Sequence, residues 1–244
     1  MKEIITTNDD SYNSMLPELK ENDRLTNNEE QPLLQEEIVD LETVNHTKIK
    51  ILWLVEEAYD IEFEGGILWL LSKLVRGDDA YEKYLISRWK KKTWNQIICI
   101  SYGILNNFML YDDIPDIDAN PEVAAILKRI AIMNIVKLAG SRDCKAQNIK
   151  SLFKQKGELI KDHIEQVNAN VIIGSKTLHH YYDLFDLDSA QHFISEQGTS
   201  YYTKNEKLYI DADYLEQLYI TREYFVLSDY IDDLILITKS VFTT

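Results

Sequence analysis

The 244-residue sequence contains little cysteine, few histidines and no long apolar run. Its two cysteines, Cys99 and Cys144, are too few for a disulfide framework and too isolated for a zinc or iron–sulfur ligand set. The five histidines are scattered and form no cluster at metal-ligand spacing. We therefore predict reduced thiols, no metal and no cofactor.

The sequence also lacks membrane and export signals. No apolar stretch reaches the roughly 18 residues that a spanning helix needs. The chain begins Met-Lys-Glu-Ile-Ile and then turns polar, without the apolar segment of a signal peptide. We expect a cytoplasmic protein with no membrane partner, and a hydrophobic content of 45% is enough to build a core.

Basic residues are scarce as well, and the formal net charge is −15. Residues 1–47 hold 12 acidic and 3 basic side chains, which leaves 29 acidic and 23 basic, a net of −6, for the remainder. This acidity argues against a protein that binds nucleic acid by neutralising many phosphates. The body of the chain is only mildly acidic.

The chain divides into a tail and a domain. Residues 1–47 are polar and acidic, and we interpret them as a largely flexible N-terminal tail. Within this tail, residues 32–44 have helix-like apolar spacing and could dock as a short amphipathic helix. Residues 48–244 are predicted to form one domain.

Within this domain, apolar runs with no helical spacing alternate with helical patterns. Buried strands are predicted at 49–55, 130–136 and 171–173, and further strands at 199–203 and 207–210. Helices are predicted at 67–75, 80–89, 94–106, 122–128, 148–167 and 221–241. Strands that alternate with helices favour a parallel sheet covered on both faces. The fold class is therefore α/β, a three-layer α/β/α arrangement with a central, mostly parallel four-stranded sheet.

Ligands of open α/β sheets bind beyond the carboxyl ends of the strands. The loops after Val55, Val136 and Ile173 are therefore the places to look for chemistry. The first holds Glu56, Glu57 and Asp60. The second strand contains Asn134 and runs into Lys137, and Ser175 follows the third within Gly-Ser-Lys-Thr.

Two of these segments carry a resemblance to a known family. Glu57-Ala58 resembles the Glu-Ala of a Gly-Glu-Ala-Pro-Gly loop, and Asn134-Ile-Val-Lys137 resembles Asn-Val-Val-Lys. Both motifs belong to the thermophile-type branch of the uracil-DNA glycosylase superfamily. A helix followed by a strand that ends in glycine, residues 158–174, is similar to the segment that follows there. The resemblance covers residues 48 to about 182.

The resemblance implies hydrolysis of an N-glycosidic bond. Breaking that bond leaves positive charge on the sugar and negative charge on the base, so a carboxylate and hydrogen-bond donors are both needed. By this resemblance Glu57 would position the water, Asn134 would read the polar edge of the base and Tyr59 would stack on it. The other candidates are Asp60 as a catalytic residue and Lys137 and Ser175 as substrate-binding residues.

The sequence also departs from the family pattern. Glu56 and Asp60 replace loop glycines and Tyr59 replaces the proline, which adds negative charge where a phosphate would approach. The His-Pro-Ser motif has no counterpart, and its His-Pro would fall on Tyr214-Leu215. The four cysteines that bind an iron–sulfur cluster in that branch of the family are absent. If bond cleavage survives, Tyr214 or another donor must stabilise the departing base.

Plainer interpretations remain for the same residues. The two glutamates can be solvated loop carboxylates, Asn134 can bond only to backbone, and Lys137 can be a surface lysine. A single basic segment is interleaved with aromatic rings and could contact nucleic acid, unless it is a solvated helix junction with its tryptophans in the core. Its candidate residues are Arg88, Lys90, Lys91, Lys92 and Trp94.

Two functions follow from the sequence. One is a divergent glycosylase-like hydrolase that acts on a modified or deaminated base in DNA, or on a nucleoside or nucleotide. The other is a catalytically inactive glycosylase-like module that binds a nucleotide, nucleic acid or a protein partner, with the acidic tail as a contact or a phosphate mimic.

Overall fold

A computed structural model describes residues 48–55, 92–117, 119–134, 146–212 and 226–243. Every described residue belongs to the unit that spans Glu36–Thr244. The predicted tail and the two helices predicted at 67–75 and 80–89 lie outside the described residues.

A mixed sheet of six strands forms the centre of this unit. The strand order is β2-β1-β3-β6-β5-β4, in which β2, β1, β3 and β6 are parallel and β5 and β4 form an antiparallel extension. The strands are β1 (Ile51–Val55), β2 (Ala131–Asn134), β3 (Val171–Ser175), β4 (Gln191–Ile194), β5 (Ser200–Lys204) and β6 (Lys207–Ala212).

The inner parallel strands are apolar because helices cover both of their faces. All five side chains of β1 and all five of β3 are buried. Strands buried on two sides read as unbroken hydrophobic runs rather than as alternating patterns. This is why the sequence identifies both of them.

In the described residues, four α-helices and four 3₁₀ helices accompany the sheet. The α-helices are α1 (Lys92–Leu105), α2 (Ala146–Val167), the short α3 (Tyr182–Phe185) and α4 (Leu227–Phe242). The 3₁₀ helices span Tyr111–Asp113, Pro121–Arg129, Leu178–Tyr181 and Leu187–Ser189.

Helices α1 and α4 cover one face of the sheet. Trp53 of β1 belongs to their hydrophobic cluster, and its indole Nε1 donates to Ser101 Oγ of α1 over 3.0 Å. The two helices approach closely at Gly103, where an added Cβ would overlap the Ile235 side chain of α4 and lie 2.5 Å from the Met109 carbonyl oxygen in the loop after α1. A small residue is therefore required at this crossing.

The opposite face carries α2. Met133 pairs with Leu54 in the register of β2 and β1, and both side chains point away from the Trp53 cluster. The Tyr181 hydroxyl contacts the Met133 sulfur at 3.7 Å, and Phe153 of α2 meets the Tyr181 ring edge-on at 4.8 Å. Helices thus flank the sheet on both sides.

The α/β class predicted from the sequence is confirmed, but the predicted number of four strands is wrong. The difference comes from the hairpin of β4 and β5, which extends the sheet beyond β6. A strand was predicted near β5, whereas β4 was missed. All four side chains of β4 are exposed, so β4 lacks the apolar alternation that marks a half-buried strand.

The helix predictions differ from the structure mainly at their ends. The helices predicted at 94–106 and 148–167 are confirmed as α1 and α2 with small shifts. The one predicted at 122–128 is a 3₁₀ helix that begins at Pro121, a residue compatible with a first helical turn. For the last helix, α4 begins at Leu227, and residues 213–225 lie outside the described part.

Candidate functional site at the carboxyl edge of the sheet

The carboxyl ends of the four parallel strands meet at one edge, and this edge is the candidate site. β1 ends at Val55, β2 at Asn134, β3 at Ser175 and β6 at Ala212. Val55 pairs with Asn134, and Ser175 pairs with Ala212. Because adjacent strands lie about 4.8 Å apart, these strand ends are neighbours.

The turn after β3 is the described loop of this edge, and hydrogen bonds brace it on both sides. The Thr177 hydroxyl donates to the Leu54 carbonyl of β1 over 2.7 Å, and the Lys176 amide donates to the Ala212 carbonyl of β6 over 2.8 Å. Ser175 is 3% exposed and Thr177 is fully buried. These hydrogen bonds therefore hold the turn in a fixed position between β1 and β6.

Backbone geometry also indicates that the turn after β3 has a fixed conformation. Lys176 has a φ of 53°, a left-handed conformation that is unfavourable for a side chain with a Cβ. A Cβ on Gly174 would lie 2.6 Å from the amide nitrogen of Leu178, so only glycine fits where the chain folds back. The predicted Gly-Ser-Lys-Thr segment is thus a tight turn.

A second polar cluster lies beside the end of β6, where the hairpin joins α4. Asp233 of α4 is 8% exposed, and its Oδ2 accepts hydrogen bonds from Ser195 Oγ at 2.7 Å and Thr199 Oγ1 at 2.6 Å. Ser195 Oγ also accepts from the Thr199 amide. Thr199 directly precedes β5, whose first residue pairs with Asp211. Sequence reasoning missed this cluster.

The structure describes some predicted site residues completely, some by their backbone alone and others not at all. Ser175 lies on the edge as expected. Asn134 is the last residue of β2, and Lys92 is the first of α1, but their side chains are outside the described structure. The remaining candidates also lie outside it: Glu57, Tyr59, Asp60, Lys137 and Tyr214, and Arg88, Lys90 and Lys91 of the basic segment.

Trp94, the aromatic end of that basic segment, is 8% exposed and belongs to the hydrophobic core. This position leaves little of the indole ring for stacking on a base. Burial of Trp94 is what we expect if the basic segment is a solvated helix junction with its tryptophans in the core.

The described part of the chain offers neither a thiol nucleophile nor a metal centre. Burial, with a smaller contribution from the charge of Asp116, raises the pKa of Cys99 to about 11, so this thiol stays protonated at neutral pH. The rings of His179 and His180 lie 3.8 Å apart, but no group of three or more metal-binding side chains occurs among the described residues.

No family model matches the chain, and no curated protein or solved structure matches it significantly.

Proposed function

We propose that this chain is a divergent uracil-DNA glycosylase-like protein that holds a nucleobase at the carboxyl edge of its sheet. Its reaction would be hydrolysis of the N-glycosidic bond of a modified or deaminated base. The observation that carries the proposal is the register of the parallel strands. This register brings to one edge of the sheet the strand ends that carry or precede the predicted site residues.

The first pair of groups is Glu57 and Asn134. Val55 and Asn134 are register partners, and Glu57 follows Val55 by two residues, so at most about 7 Å of extended chain separates Glu57 from Val55. A carboxylate that activates water and an amide that reads a base can therefore work on one ligand. The resemblance assigns them these two roles.

The second pair is Ser175 and Tyr214. Ser175 pairs with Ala212, and Tyr214 follows Ala212 by two residues. A phenol hydroxyl can donate to the oxygen of a departing base, as the missing histidine would. Ser175 and the braced turn that contains it supply a rigid wall beside the ligand, which favours preorganised binding.

Tyr59, Asp60 and Lys137 complete the proposed site. Tyr59 stacks on the flipped base, Asp60 assists Glu57 near the sugar, and Lys137 faces a phosphate. The carboxylates of Glu56, Glu57 and Asp60 disfavour a long phosphate backbone. The proposal therefore includes free nucleosides and nucleotides as substrates beside DNA.

The second candidate function is an inactive module with the same ligand site. It is favoured by the absence of a histidine near the end of β6 and by the replaced loop glycines. Such a module binds a nucleotide, nucleic acid or a protein partner without cleaving a bond. The acidic residues 1–47 would compete with nucleic acid for the basic segment near Trp94.

The experiment measures base release. The full chain is incubated with uracil-containing single-stranded and duplex DNA and with deoxyuridine, and free base is quantified by mass spectrometry. We expect release that Glu57→Gln and Asn134→Ala each reduce by about 100-fold or more. Glu158→Gln is the matched control, because Glu158 is exposed on α2.

If none of these substrates yields free base, the hydrolase proposal is wrong. Binding without release, strengthened when residues 1–47 are deleted, would instead support the inactive module.

A further inference from the structure

The outer edge of the sheet is unusually open at β4. All four side chains of Gln191–Ile194 are exposed, with Phe193 at 40% and Ile194 at 65%. The opposite edge strand, β2, buries Ala131, Ile132 and Met133 almost completely. Of the two edge strands in the described structure, β4 is therefore the one whose side chains are open to solvent.

Exposed edge strands are normally protected by charged side chains, prolines or bulges. β4 has no acidic or basic side chain except the weakly basic His192, no proline, and an unbroken four-residue register with β5. Its shortness is the one protective feature present. The strand is thus a neutral segment on a chain whose net charge is −15.

Aromatic side chains of β4 and β5 stack in rows that stop at this edge. On the face that carries α4, Phe193 stacks on Tyr201 with ring centroids 5.1 Å apart and planes 16° apart. On the other face His192 stacks on Tyr202 at 4.7 Å and 17°. A further strand would extend both rows.

We propose that β4 pairs antiparallel with β4 of a second copy of this chain, which joins two sheets of six strands across a two-fold axis. This inference does not depend on the proposed nucleobase site. An isologous contact of this kind is the commonest way in which identical chains associate. The hydrogen-bond ladder requires an extended strand as the occupant, and the charge pattern allows that strand to be β4 itself.

Charge disfavours one of the alternative registers. If Phe193 faces Phe193 of the second copy, Glu196 lies opposite Ala190, His192 lies opposite Ile194, and no two carboxylates are directly paired. A shift that places His192 opposite His192 would set Glu196 against Asp188, and directly opposed like charges destabilise a strand pair. The Phe193-centred register also continues the row of Tyr201 and Phe193 into the second copy.

The small contact area limits how tightly two copies can bind through β4. A ladder this short buries less than the roughly 1,200–2,000 Å² of a stable protein interface, so the dimer should be weak and concentration-dependent. Two chains of net charge −15 repel each other, and salt screens that repulsion. Higher salt should therefore increase the dimer population, the opposite of an association driven by ion pairs.

The test is sedimentation of the full chain over a concentration series. We expect a shift from monomer toward dimer with rising concentration and with rising salt. Ile194→Lys should abolish the shift, because it puts a charge into the ladder region. Leu159→Lys is the matched control, since Leu159 is a 48% exposed apolar residue on α2 and the change in net charge is identical.

Cross-linking tests the register. Under mild oxidation, Phe193→Cys should form a disulfide-linked dimer faster than His192→Cys and faster than Leu159→Cys. A chain that stays monomeric at every concentration, or a dimer that Ile194→Lys leaves intact, overturns the proposal. Faster cross-linking through His192→Cys than through Phe193→Cys overturns the register.

Discussion

At the scale of single residues, Gln96 is the described side chain whose buried polar atoms lack a hydrogen-bond partner. It lies on α1 with 1% of its surface exposed, and neither its Nε2 nor its Oε1 has a hydrogen-bond partner. Ile100 and Gly103 follow on the same helical face, and Gly103 is where α4 comes close. An unpaired buried amide costs about 1–3 kcal/mol of stability.

We therefore predict that Gln96→Met stabilises the protein by about 1–2 kcal/mol, because methionine keeps the length of the side chain and removes the unpaired groups. Denaturant unfolding measures the difference. Gln166→Met, at an exposed position of α2, is the control and should leave the midpoint unchanged. A lower midpoint for Gln96→Met would mean that the carboxamide makes a stabilising contact.

Asp186 is a residue whose charge contributes to local structure. Its Oδ2 accepts hydrogen bonds from Lys204 Nζ and Ser189 Oγ, each at 2.7 Å, and Lys204 also donates to the carbonyl oxygens of Phe185 and Asp186. These hydrogen bonds, the one from Lys204 foremost, lower the pKa of Asp186 below its usual value. The contact between Lys204 and the Asp186 side chain is therefore strongest while Asp186 is ionised.

A carboxylate with a lowered pKa in the folded state stabilises the protein above its unfolded pKa of about 4 and loses this effect as the pH falls through the folded value. We predict that Asp186→Asn lowers Tm slightly at neutral pH and that the difference from the wild type vanishes in strong acid. Asparagine tolerates the φ of 49° at this position. Thermal unfolding across a pH series, with Asp188→Asn as the control, provides the check. A difference that persists unchanged in acid would contradict this mechanism.

At the scale of elements, Asp233 fastens the hairpin of β4 and β5 to α4. Two hydroxyl donors from the turn of the hairpin converge on one carboxylate oxygen that is largely shielded from water. Hydrogen bonds to a charged acceptor are worth more than neutral ones, about 1.5–3 kcal/mol each. The hairpin therefore depends on α4 for its position.

We predict that Asp233→Ala destabilises the protein by about 2–4 kcal/mol, because it leaves the hydroxyls of Ser195 and Thr199 without their acceptor. Chemical denaturation gives the free energy of unfolding. Asp229→Ala, on the exposed side of the same helix, is the control. Equal effects of the two substitutions would show that the Asp233 contacts contribute no stability.

Thr177 plays a corresponding role on the candidate site. Thr177→Val keeps the shape of the side chain but removes the hydrogen bond to Leu54, and we predict a loss of about 1–2 kcal/mol. Urea unfolding of this variant, compared with Thr203→Val at a half-buried position of β5, separates the lost hydrogen bond from a general effect of valine. Unchanged stability would contradict the bracing of the turn.

The elements also show what could be predicted from the sequence. β1 and β3 are apolar on both faces, and α2 carries an apolar stripe, so local patterns identify them. β4 is exposed on both faces and carries no such pattern. Its place follows from its pairing with β5, not from its own residues.

The candidate site, like the fold, could be predicted only in part from local patterns. Strand order and the carboxyl-edge rule lead to Ser175 and to the end of β2 at Asn134. Thr177 acts through a carbonyl 123 positions away in the sequence, and Asp233 through hydroxyls 38 and 34 positions away. Contacts at such separations depend on how the elements assemble, which a single sequence does not reveal.

At the scale of the whole molecule, the parallel core and the antiparallel hairpin have different surfaces. Helices cover the faces of the parallel strands, whereas the hairpin exposes a strand. Among the described helices, none is both long and apolar enough to span a membrane. The proposed nucleobase site and the proposed contact between two copies thus lie at different edges of one sheet.

The central claim is that the carboxyl edge binds a nucleobase. Its most direct test is a titration of the isotope-labelled protein with uracil and deoxyuridine, followed by the backbone amide signals of Ser175, Lys176 and Thr177. We predict saturable shifts at these three residues and none at Glu158 and Leu159 on the exposed side of α2. Signals of the β3 turn that do not move at any ligand concentration would contradict the claim.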